Sequence, residues 1–326
     1  MAMNRTKEYF TLLIALLLTM LCSCGRNAKI MDEAERIVEQ SPDSSLALLS
    51  TVDRYSLSKS DRARYGLLFT MAQDKSGVDV DMDTLIRQSY IYYKGEPETK
   101  YYGLSQYYMG KYYFLNDSTT QCEECFRNVI NNAKERGDID LQCLALEKLS
   151  RSIVLGNTKM SIAYARQGLA LYKTSKTRNL SNVVSYTLNL AFSFAMDNQK
   201  DSAFAYLRQA KGMLNSKIDK EVIADVYHIH SGVYNYFDET DSALYYSRKA
   251  LEVMHSDKLL ISYAFCLQKS DSLEAAEKIL RDCVKRCSNQ QKYTLYMDLC
   301  KMSGKRLFDK QHSDDIDSLD KYTEMY

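Results

Sequence analysis

Tryptophan is absent from this chain of 326 residues, proline occurs only twice (Pro42 and Pro97), glycine twelve times and histidine four times. Sheet-rich folds turn too often to manage with so few turn residues, so helices joined by short polar loops are expected and the class is all-α. The histidines are His228, His230, His255 and His312, and His228-x-His230 would place its two rings on different helix faces. Cys122-x-x-Cys125 and the pair Cys283 and Cys287 each share a helix face, but no second metal pair with fitting histidines accompanies them. No metal and no cofactor are expected. A glycine-rich phosphate loop is lacking, as is any serine, cysteine or carboxylate with a motif-placed partner, so the chain does not read as an enzyme. Neither charge dominates: 43 Lys and Arg face 42 Asp and Glu, spread along the chain with no basic stripe. Such a chain has no long-range field to draw in phosphate backbones, and nucleic acid is excluded as a partner.

One apolar run stands out. Arg5 and Lys7 precede Phe10 to Leu21, and the run ends in Leu21-Cys22-Ser23-Cys24-Gly25. It falls below the roughly 18–20 residues of a spanning helix and suits the core of a signal peptide. Its ending resembles a lipobox, with Leu21 and Ser23 where that motif wants a large aliphatic and a small residue. The resemblance implies cleavage before Cys24, which becomes the acylated (palmitate-bearing) first residue. Residues 1–23 are then a lipoprotein signal peptide and residues 24–30 a lipidated N-terminus with a short tether. Gly25-Arg26-Asn27-Ala28-Lys29 has no Asp beside the lipid cysteine and no acidic export cluster. Outer-membrane anchoring, facing the periplasm, is the expectation for location.

Beyond the leader the sequence repeats itself. Four segments align as Cys122-x-x-x-Phe126-x-x-Val129, Ser161-x-x-x-Ala165-x-x-Gly168, Ala203-x-x-x-Leu207-x-x-Ala210 and Ala243-x-x-x-Ser247-x-x-Ala250, with last positions 39, 42 and 40 residues apart. The stretches preceding them carry Met109-Gly110-x-x-Tyr113, Leu149-Ser150-x-x-Ile153, Leu190-Ala191-x-x-Phe194 and Ser231-x-x-Tyr234, at steps of 40, 41 and 40. Two markers therefore share one period. Small residues such as Gly110, Ser150 and Ala191 let two helices approach closely, and large apolar residues three or four positions away fill the ridge beside that contact. Asp201-Ser202, Asp241-Ser242 and Asp271-Ser272 are expected as N-caps of second helices.

This pattern resembles the tetratricopeptide repeat (TPR), whose usual period is about 34 residues. The opening of the chain resembles Bacteroidetes envelope proteins built from that repeat. It runs from Met31-Asp-Glu-Ala34 through Ser41-Pro42-Asp43-Ser44-Ser45-Leu46 to Arg62-Ala63-Arg64-Tyr65-Gly66-Leu67-Leu68-Phe69. The resemblance implies a right-handed superhelical solenoid of TPR-like helix hairpins over residues 31–308, followed by a polar tail over 309–326. Helix pairs are placed near 28–53, 60–95, 98–136, 139–173, 179–216, 219–255 and 257–287, with a final helix near 289–304. Larger relatives of this type continue into membrane and output segments, so a sensor module lacking its own output domain is one reading.

Seven cysteines remain besides Cys24, and Cys122 takes a small-residue position, which reads as buried packing. Nine tyrosines between Tyr90 and Tyr113 fit interhelical packing better than a carbohydrate platform. Stacked helix pairs present an extended face on which partners bind. From the register, groove-lining residues are expected at Tyr107, Lys111, Glu147, Arg151, Phe192, His228 and Asn235. The expected function is a non-enzymatic, membrane-anchored scaffold that binds an envelope protein or peptide. Rival readings are a glycan-binding lipoprotein of a nutrient-uptake system and a hydrolase with an unrecognised site.

Overall fold

The structure is a computed structural model that describes residues 26–76, 83–116, 118–175, 180–270 and 272–286, together with Leu295 and Leu299. Cys24, residues 77–82 and the expected polar tail at 309–326 lie outside these residues. Within them the chain is α-helical with no strand, and consecutive helices pair as antiparallel hairpins. The first pair is α1 (26–37) with α2 (Pro42–Ser50), and the second is α3 (Lys59–Lys75) with α4 (Asp83–Tyr93). Then come α5 (Lys100–Leu115) with α6 (Thr119–Arg136) and α7 (Ile139–Ile153) with α8 (Thr158–Tyr172). The last three pairs are α9 (Leu180–Met196) with α10 (Lys200–Gly212), α11 (Lys220–Tyr236) with α12 (Thr240–Val253), and α13 (Asp257–Lys269) with α14 (Leu273–Val284). The chain divides into two compact units, Met1–Ala145 and Leu146–Tyr326, with the division inside α7.

The second helices follow the periodicity that the sequence predicts. In α10 the buried residues are Ala203, Leu207 and Ala210, and in α12 Ala243, Ser247 and Ala250. A stripe at i, i+4 and i+7 lies along one helix face, so these helices bury one side only. The first helices are enclosed more fully: α9 buries eleven of its 17 residues, among them Val184, Leu188, Leu190, Ala191 and Phe194. With Leu207, Val226 and Val233 they form the main core of the second unit.

Hydroxyls lock the close contacts inside hairpins. Ser150 Oγ donates to the Ser161 carbonyl at 3.0 Å, and Ser161 Oγ donates back to the Ser150 carbonyl at 2.8 Å. Ser231 Oγ donates to the Ala243 carbonyl at 2.9 Å, and in the first unit Ser45 and Ser89 bond the Ala34 and Ala63 carbonyls. A buried serine satisfied in this way takes little space and leaves no polar atom unpaired. At Gly110 even a methyl group would come within 2.8 Å of the Phe126 ring, so that contact admits only glycine.

The turns between paired helices are tighter than the sequence implied. Asn198 and Asp238 adopt left-handed backbone angles (φ 57 and 59), which Asn and Asp tolerate better than other side chains. The following amides, of Gln199 and Glu239, reach back to the Phe194 and Tyr234 carbonyls at 2.8 and 2.9 Å. The next helix starts at once, so Gln199 and Glu239 occupy the N-cap positions. Asp201 and Asp241 are therefore not caps; they lie inside the first turn, where their charge still favours the helix dipole. Ser272 does precede α14, without a side-chain capping bond, while Asp271 lies outside the described residues. Of the expected final helix, Leu295 and Leu299 are helical, buried and packed with Leu267, Leu280 and Val284.

Candidate functional site

The first helices present the side chains that the register singled out, and each unit treats them differently. In the first unit Tyr107 is 6% exposed, with its ring edge-on to Tyr108 at 5.3 Å and tilted against Phe126 at 5.9 Å. It is a packing residue. Lys111 Nζ bonds the Asp74 carboxylate and lies 5.7 Å from the Tyr108 ring centre. Neighbouring charges are matched in the same way. Arg64 pairs with Asp32 at 2.7 Å and with Glu35, whose carboxylate also takes the Tyr101 hydroxyl and Lys100. Burial opposes the charge on Glu35, yet Lys100, Arg64 and Tyr101 together hold its pKa below the ordinary value.

In the second unit Glu147 is the centre of a polar cluster. It is 7% exposed, and Lys148 Nζ lies 2.9 Å from its Oε2. Arg151 Nη1 stands 3.5 Å from Oε1, and Asn189 Nδ2 donates to the same oxygen at 3.3 Å and to the Glu147 carbonyl at 3.4 Å. Burial pushes the Glu147 carboxyl towards the neutral form, but the two cations and the hydrogen bonds outweigh it and hold the pKa at about 2. Asn189 thus clasps α7 to α9. The register did not select it, although an amide between Leu188 and Leu190 in an otherwise apolar stretch is a visible signal.

His228, on α11, is partly buried and lies within the electrostatic reach of Arg151, Lys258 and Asp225. Burial first, and then the two cations, lowers its pKa to about 4 against the pull of Asp225, so the ring is neutral near pH 7. Asp225 and Lys258 bridge α11 and α13 at 3.1 Å. One turn after His228, Gly232 is exposed, and a methyl group built there would meet no atom within 4 Å. Asn235 follows; its Oδ1 is buried and receives no hydrogen bond among the described residues, while its carbonyl takes Lys269 Nζ at 2.8 Å. Phe192 is partly buried against the second-unit core. The second unit therefore brings Glu147, Arg151, Asn189, His228, Gly232 and Asn235 onto its first-helix side.

The cysteines pack. Cys122, Cys125, Cys143, Cys266 and Cys283 are buried thiols, and burial with Glu124 and Cys122 nearby pushes the Cys125 thiol up to about 12. Cys287 and Cys300 lie outside the described residues. Among the described residues no group of three or more His, Cys, Asp or Glu is arranged to hold a metal ion. Nor is any described helix long and apolar enough to cross a membrane.

The sequence matches no family model and no curated protein. Solved structures do resemble the chain. NprR in complex with its cognate peptide NprX is 14% identical, with a TM-score of 0.64 over 89% of this chain and 88% of that one. A Rap protein complexed with competence and sporulation factor is 12% identical, with a TM-score of 0.57 over 92% and 98% of the two chains. The apo form of the quorum sensor NprR from B. thuringiensis gives 0.56 at 15% identity, over 88% and 83%. These likenesses establish the TPR-like helical repeat fold.

Proposed function

We propose that the protein is a non-enzymatic scaffold that binds a peptide, or an extended segment of an envelope protein, on the first-helix side of its second unit. The observation that carries this reading is the grouping of Arg151, Asn189, His228, Gly232 and Asn235 on three successive first helices. Peptide backbones offer a donor and an acceptor at each residue, and amide and neutral imidazole side chains can supply both. The gap at Gly232 admits a backbone close to the helix, beside His228 one turn earlier. Glu147 does not face the ligand in this account; it fixes Arg151 and Asn189 in place. The likeness to NprR, solved with its cognate peptide NprX, supports a peptide as the ligand class.

The scaffold is held to a bacterial membrane, on this reading the outer membrane facing the periplasm, by acyl chains on Cys24. Each buried methylene of such a chain adds about 0.8 kcal/mol, and more than one chain gives stable attachment. The test is selection of a displayed peptide library on the full mature protein, followed by binding to the Arg151→Ala/Asn235→Ala variant. Peptides retained by the parent and lost by a variant of unchanged melting temperature would support the reading. A library that yields no retained peptide, with sugars stabilising the protein to heat instead, would replace it with glycan binding.

A further inference from the structure

We infer that the end of the first unit from which α1 emerges is a membrane-docking surface for anionic lipid, built from Tyr55, Ile91, Lys59 and Arg62. The inference rests on the anchoring of Cys24 proposed above and specifies what the anchored protein does at the bilayer.

Cys24 is three residues from Asn27, and even a fully extended chain spans only about 11 Å over that distance. Asn27 is fixed: it is 6% exposed, and its Nδ2 donates to Ser56 Oγ at 3.2 Å. Ser56 closes the short 3₁₀ turn Arg54–Ser56 that leads into α3. Acylation of Cys24 therefore brings this turn to the lipid headgroups, whatever path residues 24–26 take.

The residues found there suit that position. Tyr55 is 83% exposed, with Arg54 5.5 Å from its ring centre. Directly after it the start of α3 and the end of α4, adjacent in their antiparallel hairpin, flank a shallow, open cleft of about 260 Å³. Lys59 and Arg62 line it on one side, and Gln88, Ile91 and Tyr92 on the other. Ile91 is 66% exposed. Exposed aromatic and aliphatic side chains beside cations form the pattern that settles at a membrane interface.

Arg64, Lys75, Lys100 and Lys111 of this unit each hold a carboxylate. Among the described residues none pairs with Arg54, Lys59 or Arg62; Arg62 reaches only the Leu57 carbonyl at 3.2 Å. The nearby acids are used locally, Asp53 accepting the Tyr55 amide and Asp61 the Ser58 hydroxyl. Cations left uncompensated around an apolar cleft fit the phosphate of an anionic lipid, with the cleft taking the upper part of an acyl chain.

The absence of tryptophan from the sequence makes the test clean. The mature lipoprotein is purified from cells, its Cys24 mass measured, and the protein reconstituted into phosphatidylcholine vesicles with or without phosphatidylglycerol. Single reporters are Tyr55→Trp, Ile91→Trp and, at the far end of α5 in the same unit, Leu115→Trp, where the native residue is 65% exposed. On phosphatidylglycerol vesicles the first two are expected to shift to the blue and be quenched by brominated acyl chains, while the third does neither. Removing both cations in Lys59→Gln/Arg62→Gln weakens this attachment about five-fold per charge, equivalent to about 1 kcal/mol each. An acylated, vesicle-bound protein whose reporters at 55 and 91 stay unquenched would overturn docking and leave the anchor intact. Lack of acyl mass on Cys24 would remove the anchor, and the docking inference with it. Quenching unchanged in the double variant would refute the role of the two cations.

Discussion

Alanine at Gly168 would place a methyl carbon 2.3 Å from Tyr186 Cε1, 2.7 Å from its Cζ and 2.8 Å from its hydroxyl. Carbon atoms in contact sit about 3.5–4.0 Å apart, so the ring would have to retreat by more than an ångström. Tyr186 is 2% exposed and tilted against Tyr172 at 6.3 Å, which leaves it nowhere to go. Overpacking of this kind costs about 1–3 kcal/mol, against a gain of about 1 kcal/mol from replacing a helical glycine by alanine. Gly168→Ala is expected to be destabilising by up to about 2 kcal/mol. Gly232→Ala is the matched opposite: both glycines are helical, but the new methyl meets nothing within 4 Å, so only the helix-propensity gain of about 1 kcal/mol remains. At roughly 2–4 °C per kcal/mol for a unit of this size, the two melting temperatures should move apart in opposite directions. Thermal unfolding followed by helical circular dichroism, with urea titration as a second measure, reads both. If both variants rise, or both fall, the packing assigned to Gly168 and Tyr186 is wrong. Tyr186→Leu in the Gly168→Ala background should recover part of the loss, as residues in direct contact do.

Other expectations follow from the polar cluster and the core. The Glu147 carboxyl has an ordinary pKa of 4.5 and is held at about 2 in the folded chain, so its contribution of about 3 kcal/mol is fully present above pH 4.5 and is lost as pH falls towards 2. Glu147→Gln should be less stable at neutral pH and should flatten the stability curve across that window, as read by urea unfolding at a series of pH values. His228 and His230 act in the same direction: with pKa values lowered from 6.5 to about 4, both favour the neutral folded form, and stability falls as pH drops from 6.5 to 4. His230 should titrate near 4 by NMR, since its burial outweighs the Val226 carbonyl 2.7 Å from Nδ1, which favours the protonated ring; a midpoint near 6.5 would contradict that burial. Leu207 is 1% exposed in the second-unit core, and Leu207→Ala should cost about 2–5 kcal/mol in chemical unfolding.

The repeat was legible because small residues at fixed spacing leave a trace in sequence. Ser150 meets Ser161 and Ser231 meets Ala243 as the shared period required. Helix starts were less legible. Asn198 and Asp238 take left-handed angles that bring α10 and α12 forward, and a single sequence does not reveal which polar residue will do so. Register placed the expected residues on first helices but could not tell a presented side chain from a packed one. Tyr107 and Glu147 hold equivalent positions, yet one ring packs against Phe126 while the other side chain binds Arg151 and Asn189. Asn189 stands out in sequence as an amide in an apolar stretch, but its partner does not, because the contact depends on α7 and α9 lying side by side with Glu147 42 positions away. The cleft of Lys59, Arg62 and Ile91 was hidden for the same reason, since it exists only where the start of α3 meets the end of α4.

Peptide recognition by the second unit is tested most directly by photo-crosslinking. A retained peptide carrying a photoreactive group is bound to the full mature protein, irradiated and mapped by mass spectrometry. The account predicts adducts within 147–151, 189–192 and 228–235, the segments of α7, α9 and α11 that carry Arg151, Asn189, His228 and Asn235. Adducts confined to the second helices, or to the first unit, would contradict it.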